Sequence, residues 1–335
     1  MTTVLPHHDQ ESEAAEIALS VKDLVVSSGE NQLVRGISFE LRFGERVALI
    51  GESGSGKSLT SLALLALLPR GLKASGDVRL APGDELLGAS ERQMARLRGS
   101  RISMVFQEPL TALNPTKRVG AQVAEVIRIH GKSVSRADAA KRAVQLLDDV
   151  RLADPEASAQ AYPHQLSGGQ RQRIVLAMAM ANKPAVLVCD EPTTALDVTV
   201  QAQMLELIAA QVLRERSALL FITHDLAVVS GFCDRVLVMY GGTIVESGSI
   251  QEVFENPRHP YTLGLLECSD IGAVGPGSSL PTIPGSVPAA GKFPSGCVFR
   301  DRCPRSTEQC RTEPSLDERN GHLVACWHPV GGGSG

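Results

Sequence analysis

Val47-Ala48-Leu49-Ile50-Gly51-Glu52-Ser53-Gly54-Ser55-Gly56-Lys57-Ser58 is the stretch that decides the fold. Its apolar opening has no polar alternation and reads as a strand covered on both faces, the mark of a parallel sheet flanked by helices. Gly51 to Ser58 then fits G-x-x-x-x-G-K-[ST], the loop that joins such a strand to a helix and wraps a phosphate. Glycines let backbone N–H groups curl around an anion without a Cβ clash, and the following helix presents its positive N-terminus. Lys57 supplies a cation for β- and γ-phosphates, and Ser58 a hydroxyl ligand for Mg2+. The expectation is an α/β protein that handles a nucleotide.

Two more apolar runs, at 185–189 and 218–222, share the character of the first, and each ends at polar chemistry. The first stops at Asp190-Glu191, where one carboxylate can hold Mg2+ and the next can deprotonate a water. The second stops at Thr223-His224-Asp225. Ahead of the acidic pair lies Leu166-Ser167-Gly168-Gly169-Gln170, which opens a helix with a hydroxyl and free N–H groups and so makes a second anion site. One chain does not need two such sites for one γ-phosphate. From 109 to 184 the period is helical: Val119, Val123, Val126 and Ile127 share one face, and Ala143, Leu146, Leu147 and Val150 another.

This ordered set resembles the ATP-binding subunit of an ABC transporter, over about residues 17–248. The resemblance implies a RecA-like P-loop ATPase core, an antiparallel β subdomain, an α-helical subdomain inserted at about 108–184, and a small Cys-rich C-terminal extension. It implies that Gly51, Glu52, Ser53, Gly54, Ser55, Gly56, Lys57, Ser58 and Leu59 cradle ATP. Asp190 takes the Mg2+ role with Ser58, and Glu191 that of general base. His224 resembles the switch histidine that steadies the attacking water. Gln107, after Met104-Val105-Phe106, is implied to sense Mg2+ and water. Ser167, Gly168, Gly169, Gln170 and Asp197 complete the nucleotide set, the Ser167 segment meeting ATP across a head-to-tail dimer. One departure stands out: no Tyr, Trp or Phe lies between Met1 and Val34, where the family places an adenine-stacking aromatic. Apolar contact from Val25 or Val26 is the expected substitute, with modest ATP affinity and weak base selectivity.

Composition sets bounds on the rest. The 335 residues suffice for one large core and a smaller appendage. A net charge of −4 gives no basic field for nucleic acid. The longest apolar runs, at 62–68 and 174–181, fall far short of the roughly 20 residues that span a bilayer. A polar N-terminus without an apolar signal core leads to the expectation of a protein on the cytoplasmic side, with channel subunits supplied by partners. Residues 1–16 read as a disordered lead-in, 17–255 as the nucleotide-binding domain, 256–330 as a Pro/Gly-rich extension and 331–335 as a flexible tail.

The extension holds four of the seven cysteines, spaced Cys297-x5-Cys303-x6-Cys310-x15-Cys326, with no C-x2-C knuckle. Thiolates favour zinc or an iron–sulfur centre, and either would pin a segment poor in core residues. His259-Pro260-Tyr261-Thr262, Gly296-Cys297, Phe299, Arg302-Cys303-Pro304 and Val324-Ala325-Cys326-Trp327 resemble the C-terminal extension of oligopeptide and dipeptide importer ATPases. That resemblance implies a [4Fe-4S] cluster, with zinc as the alternative. It also implies the partners: a second ABC ATPase, two transmembrane permeases and an extracytoplasmic solute-binding protein, at the cytoplasmic face of the plasma membrane. Nickel chelates or opines are alternative cargoes, and a soluble ABC ATPase acting on ribosomes or DNA is the rival class.

Overall fold

The computed structural model describes residues 16–106, 112–131, 133–194, 197–269, 281–289, 291–319 and 321–331. Its strands, in chain order, are β1 (Ile17–Ser28), β2 (Asn31–Arg42), β3 (Arg46–Ile50), β4 (Leu72–Leu80), β5 (Asp84–Glu85), β6 (Ile102–Val105), β7 (Val186–Asp190), β8 (Ala218–Ile222), β9 (Arg235–Tyr240), β10 (Thr243–Ser249), β11 (Asp317–Arg319) and β12 (His322–Val324). Two sheets result, an antiparallel β2-β1-β4-β5 and a larger β11-β12-β10-β9-β3-β8-β7-β6.

In the larger sheet β9, β3, β8, β7 and β6 run parallel, and β10, β12 and β11 add antiparallel at one edge. The missing alternation in the parallel strands has a simple cause. Ala48, Ile50, Leu187, Cys189, Leu219 and Phe221 face one hydrophobic core, while Val47, Leu49, Val186, Val188, Leu220 and Ile222 face the other. Both faces are dry, so every position is apolar, and each fully buried aliphatic side chain contributes about 1.5–3 kcal/mol. By contrast β2 alternates from Ile37, burying Ile37, Phe39 and Leu41 and leaving Ser38 exposed and Glu40 half-buried.

Between β6 and β7 the chain forms helices Val119–His130, Arg136–Asp149 and Pro155–Gln160, which pack on one another. Ser135 and Asp154 cap the last two through bonds from the Asp138 and Ala157 N–H groups. Val119, Val123 and Ile127 are buried, as are Ala143, Leu146, Leu147 and Val150, while Val126 is only half-buried.

Beyond Gly248 the chain does not run as an extended linker throughout. Helix Pro260–Ser269 forms, with Pro260 at its first turn, and Tyr261 is fully buried. Cys297, Val298, Phe299 and Cys310 belong to the same buried cluster as Val238, Tyr240 and Tyr261, so the cysteine segment shares the main core. Glu246 on β10, wholly buried, accepts bonds from the Arg258 and His259 N–H groups (2.6 and 2.9 Å) and pairs with His322 Nε2 on β12 (2.6 Å). No helix among the described residues is long and apolar enough to cross a membrane.

Candidate nucleotide-binding site

Three parallel strands end side by side. β3 leads into the Gly51–Ser58 loop, its neighbour β8 into Thr223-His224, and the next strand, β7, into Asp190-Glu191. Backbone bonds lock the row: Glu191 N–H to Ile222 O (2.9 Å) and Thr223 N–H to Leu49 O (3.4 Å). Sequence order scatters these residues over 130 and more positions, and strand order brings them to one edge.

The loop uses glycine at two points of positive φ where a side chain is strained. A Cβ on Gly51 (φ 151°) would lie 2.1 Å from Met239 O, and one on Gly56 (φ 107°) 2.7 Å from Met239 Cε. Helix Lys57–Leu64 starts directly after Gly56. Lys57 is buried, and its Nζ donates to Gly51 O (2.7 Å) and Glu52 O (2.9 Å). Burial pushes the Lys57 pKa down, against the opposing charges of Glu191, Asp190 and Glu52. Ser53, Gly54, Gly56, Lys57, Ser58 and Leu59 line an open groove together with Leu33, Glu191 and His224. Gly51 and Ser55 are buried and Glu52 is half-buried, and none of the three lines the groove.

Ser58 and Ser61 hydroxyls donate to the two oxygens of Asp190 (3.4 and 3.3 Å). Burial raises the Asp190 pKa, which those hydroxyls counter. A hydroxyl and a carboxylate at this separation are hard oxygen donors of the kind Mg2+ takes, so the pair fits that ion. Glu191 sits in the left-handed region at φ 48°, uncommon for a residue with a Cβ. Its Oε1 meets His224 Nδ1 at 3.1 Å, and its Oε2 accepts the Thr194 hydroxyl at 3.0 Å. Asp225, next to His224, caps helix Leu226–Phe232 through the Ala227 and Val228 N–H groups and so fixes the turn that carries the histidine.

Ser167 caps helix Gly168–Met180 in a capping box: its hydroxyl accepts the Gln170 N–H, and the Gln170 side chain accepts the Ser167 N–H (2.9 Å). Ser167, Gly169 and Gln170 line a second groove with Arg173 and Val200, and none of them lines the first. Asp197 caps helix Val198–Glu215 through the Val200 N–H (3.0 Å), and the adjoining Val198 is 81% exposed. Gln107 lies outside the described residues.

In the cysteine segment Cys297 and Cys310 are buried and joined by Cys297 N–H to Cys310 O (2.9 Å), while Cys303 and Cys326 are half-buried. Cys326 lies within electrostatic range of Cys297, Cys303 and Cys310. Burial raises the Cys297, Cys303 and Cys326 thiols, the last to about 11. Backbone hydrogen bonds from Phe299, Arg305 and His328, respectively, work against burial and favour the thiolates. Among the described residues no three His, Cys, Asp or Glu side chains are gathered to hold a metal ion.

The family model for ABC transporters matches residues 34–194, and that for the oligopeptide/dipeptide transporter C-terminal region matches 245–310. The oligopeptide transport ATP-binding protein OppD of Escherichia coli (strain K12) is 43% identical over 98% of this chain and 97% of its own length. The chain belongs to the ABC transporter ATP-binding proteins of the oligopeptide/dipeptide group. The dipeptide transport ATP-binding protein DppD of Lactococcus lactis subsp. cremoris (strain MG1363) is 46% identical over 82% of this chain and 76% of that protein. Among solved structures, the ATP-binding cassette MJ0796, dimeric in a post-hydrolysis state with ADP and Pi, aligns with a TM-score of 0.61. It is 26% identical and covers 69% of this chain and 98% of that one. The fold is therefore the mixed α/β cassette of ABC ATPases, and this ABC protein is an ATPase. The nickel, opine and soluble-ATPase alternatives are not favoured.

Two features of this ABC ATPase escaped the sequence. Leu33 and Leu59 are the apolar residues lining the nucleotide groove, while Val25 and Val26 do not line it and Val26 is sealed in the β1 core. A leucine covers a purine without stacking on it, so ATP and GTP should compete with Kd values within about ten-fold of each other. Competition binding with the two nucleotides checks this. The second feature is the contact between Glu52 and the C-terminal segment, whose partners are far apart in the chain and carry no local signal.

Proposed function

We propose that the chain is the ATP-hydrolysing subunit of an importer that takes up di- or oligopeptides. The observation that carries the assignment of roles is the meeting of Lys57, Ser58, Asp190, Glu191 and His224 at one end of the parallel sheet. Lys57 and the loop N–H groups bind the ATP phosphates. Ser58 and Asp190 hold Mg2+, which when bound neutralises phosphate charge. Glu191 takes the proton of the attacking water, and His224, bonded to it, orients that carboxylate and reaches toward the γ-phosphate. Gln107 joins this set through its place in the sequence order.

The exposed Ser167–Gln170 segment, in a groove of its own beside the exposed Val198, supports a head-to-tail dimer in which each ATP lies between one loop and the partner's Ser167 segment. A non-identical second ATPase, two transmembrane permeases and a solute-binding protein complete the assembly at the cytoplasmic face of the membrane. Relatives named for oligopeptide and dipeptide transport support the cargo class. In the extension, Cys297, Cys303, Cys310 and Cys326 are the residues that would hold a [4Fe-4S] centre with a structural role. Backbone bonds favour the thiolates of three of them, but in the present arrangement no three of the four are gathered for a metal.

One preparation tests both parts. The subunit is captured from gently solubilised membranes without oxygen, its partners are identified by mass spectrometry, and its iron and zinc are quantified. Two permeases, a second ATPase and iron at about four atoms per chain are expected. Recovery of ribosomes or DNA-repair proteins without a permease would overturn the importer, and zinc in place of iron would overturn the cluster.

A further inference from the structure

The phosphate loop of this chain carries a carboxylate, Glu52, where it must receive a polyanion. That carboxylate does not stand free. Arg302, from the turn between Cys297 and Cys303, grips it with a two-pronged bond: Nη1 to Oε2 at 2.7 Å and Nη2 to Oε1 at 3.2 Å. Only 5% of the Arg302 side chain is exposed. Its remaining donors are used as well, Nε on Pro284 O (2.7 Å) and Nη2 on Ile283 O (3.3 Å). The guanidinium lies over the rings of Tyr240 and Phe299, 5.7 and 5.9 Å from their centres. Turns Arg302 N–H to Phe299 O and Arg300 N–H to Cys297 O fix its backbone (3.0 and 3.2 Å).

Glu52 is tied at its main chain too. Its N–H donates to the buried Tyr261 hydroxyl (2.8 Å), and its carbonyl accepts Lys57 Nζ (2.9 Å). One residue thus connects the phosphate-binding lysine to helix Pro260–Ser269 and to the cysteine segment. Its negative charge is also close enough to Lys57 to be felt there.

We infer that Arg302 is a positioning residue of the ATP site: it cancels and holds the Glu52 charge so that the phosphate loop can accept ATP, which makes the cysteine-rich extension part of that site. A bidentate pair holds the carboxylate, and Glu52 does not line the groove. Without Arg302 the carboxylate is an unpaired anion on a loop built for anions, free to compete with phosphate for Lys57. Any event that unfolds the Cys297–Cys303 turn then reads out as weaker ATP binding. This rests on the nucleotide assignment above.

The test is equilibrium ATP binding by the full chain, with thermal unfolding in parallel, for wild type, R302M, E52Q, the R302M/E52Q double variant and K57M. R302M should raise the ATP Kd about ten-fold, the scale of one hydrogen bond to a charged group, and ADP should suffer less. Adding E52Q should restore most of the ATP affinity, because the offending charge is gone, even where the melting temperature stays low. A merely structural role predicts the reverse: a lower melting temperature, and no rescue of affinity by E52Q. That result, or wild-type affinity in R302M, overturns the inference. If R302M does not fold, R302K and R302Q carry the test. R302K keeps the charge and should bind ATP better than R302Q; equal losses in the two would overturn the charge argument. Wild type that fails to bind ATP, as K57M should, would instead sink the nucleotide assignment itself.

Discussion

Glu191→Gln should lower the ATPase turnover number by about 10^3-fold while leaving ATP affinity nearly unchanged, the signature of a lost general base. The geometry argues for so selective an effect. Among its neighbours Glu191 bonds the Thr194 hydroxyl at Oε2 and His224 Nδ1 at Oε1. A glutamine of the same shape can keep both, its oxygen accepting from Thr194 and its amide facing the imidazole. The turn at φ 48° is a backbone property that the substitution does not touch. What disappears is the ability to take a proton from water. Single-turnover hydrolysis measures the loss, and size-exclusion in the presence of ATP should reveal a longer-lived dimer, because the closed state no longer empties its site. Turnover within about ten-fold of wild type would assign the base elsewhere, with His224 the next group to test.

Lys57→Met should weaken ATP binding by about 10^2-fold or more, since it removes charge-assisted bonds to two phosphates. Methionine fills most of the volume, so the loss can be separated from a collapse of the loop. Lys57 is only 7% exposed, and its ammonium braces Gly51 and Glu52 from within. Some fall in melting temperature is therefore expected, because Gly51 O loses the ammonium and Glu52 O keeps only the Ser55 N–H (3.2 Å). Isothermal titration with ATP, set beside thermal unfolding, distinguishes the two contributions. Near-wild-type affinity would mean that the loop N–H groups alone carry the phosphates.

Much of this site was legible in the chain because its parts obey local rules. The loop at Gly51 to Ser58 needs glycine where a Cβ would strike Met239, and no other residue type meets that need. Ser167 and Gln170 spell a capping box within one turn of helix. The buried strands at 47–50, 185–189 and 218–222 are apolar at every position because both of their faces are covered. The helical faces at 119–127 and 143–150 were legible for a similar reason, a period matched to a single buried side.

What the sequence determined by itself is therefore the set of parts and their kind: a phosphate loop, an acidic strand end, a histidine turn, an outward-facing capped helix, and with them membership in the ABC ATPases. The tertiary structure alone decided which parts meet. Placing β8 between β3 and β7 puts His224 against Glu191 rather than some other polar turn. Folding the cysteine segment onto the main core sets Arg302 on Glu52 across 250 residues, and the fold of β2 brings Leu33 to the groove. An arginine and a glutamate are common surface residues, and a pair so distant shares no period, turn or cap. Local chemistry can be read along the chain, but the pairing of two ordinary charges depends on strand order and core packing, and only the folded molecule specifies those.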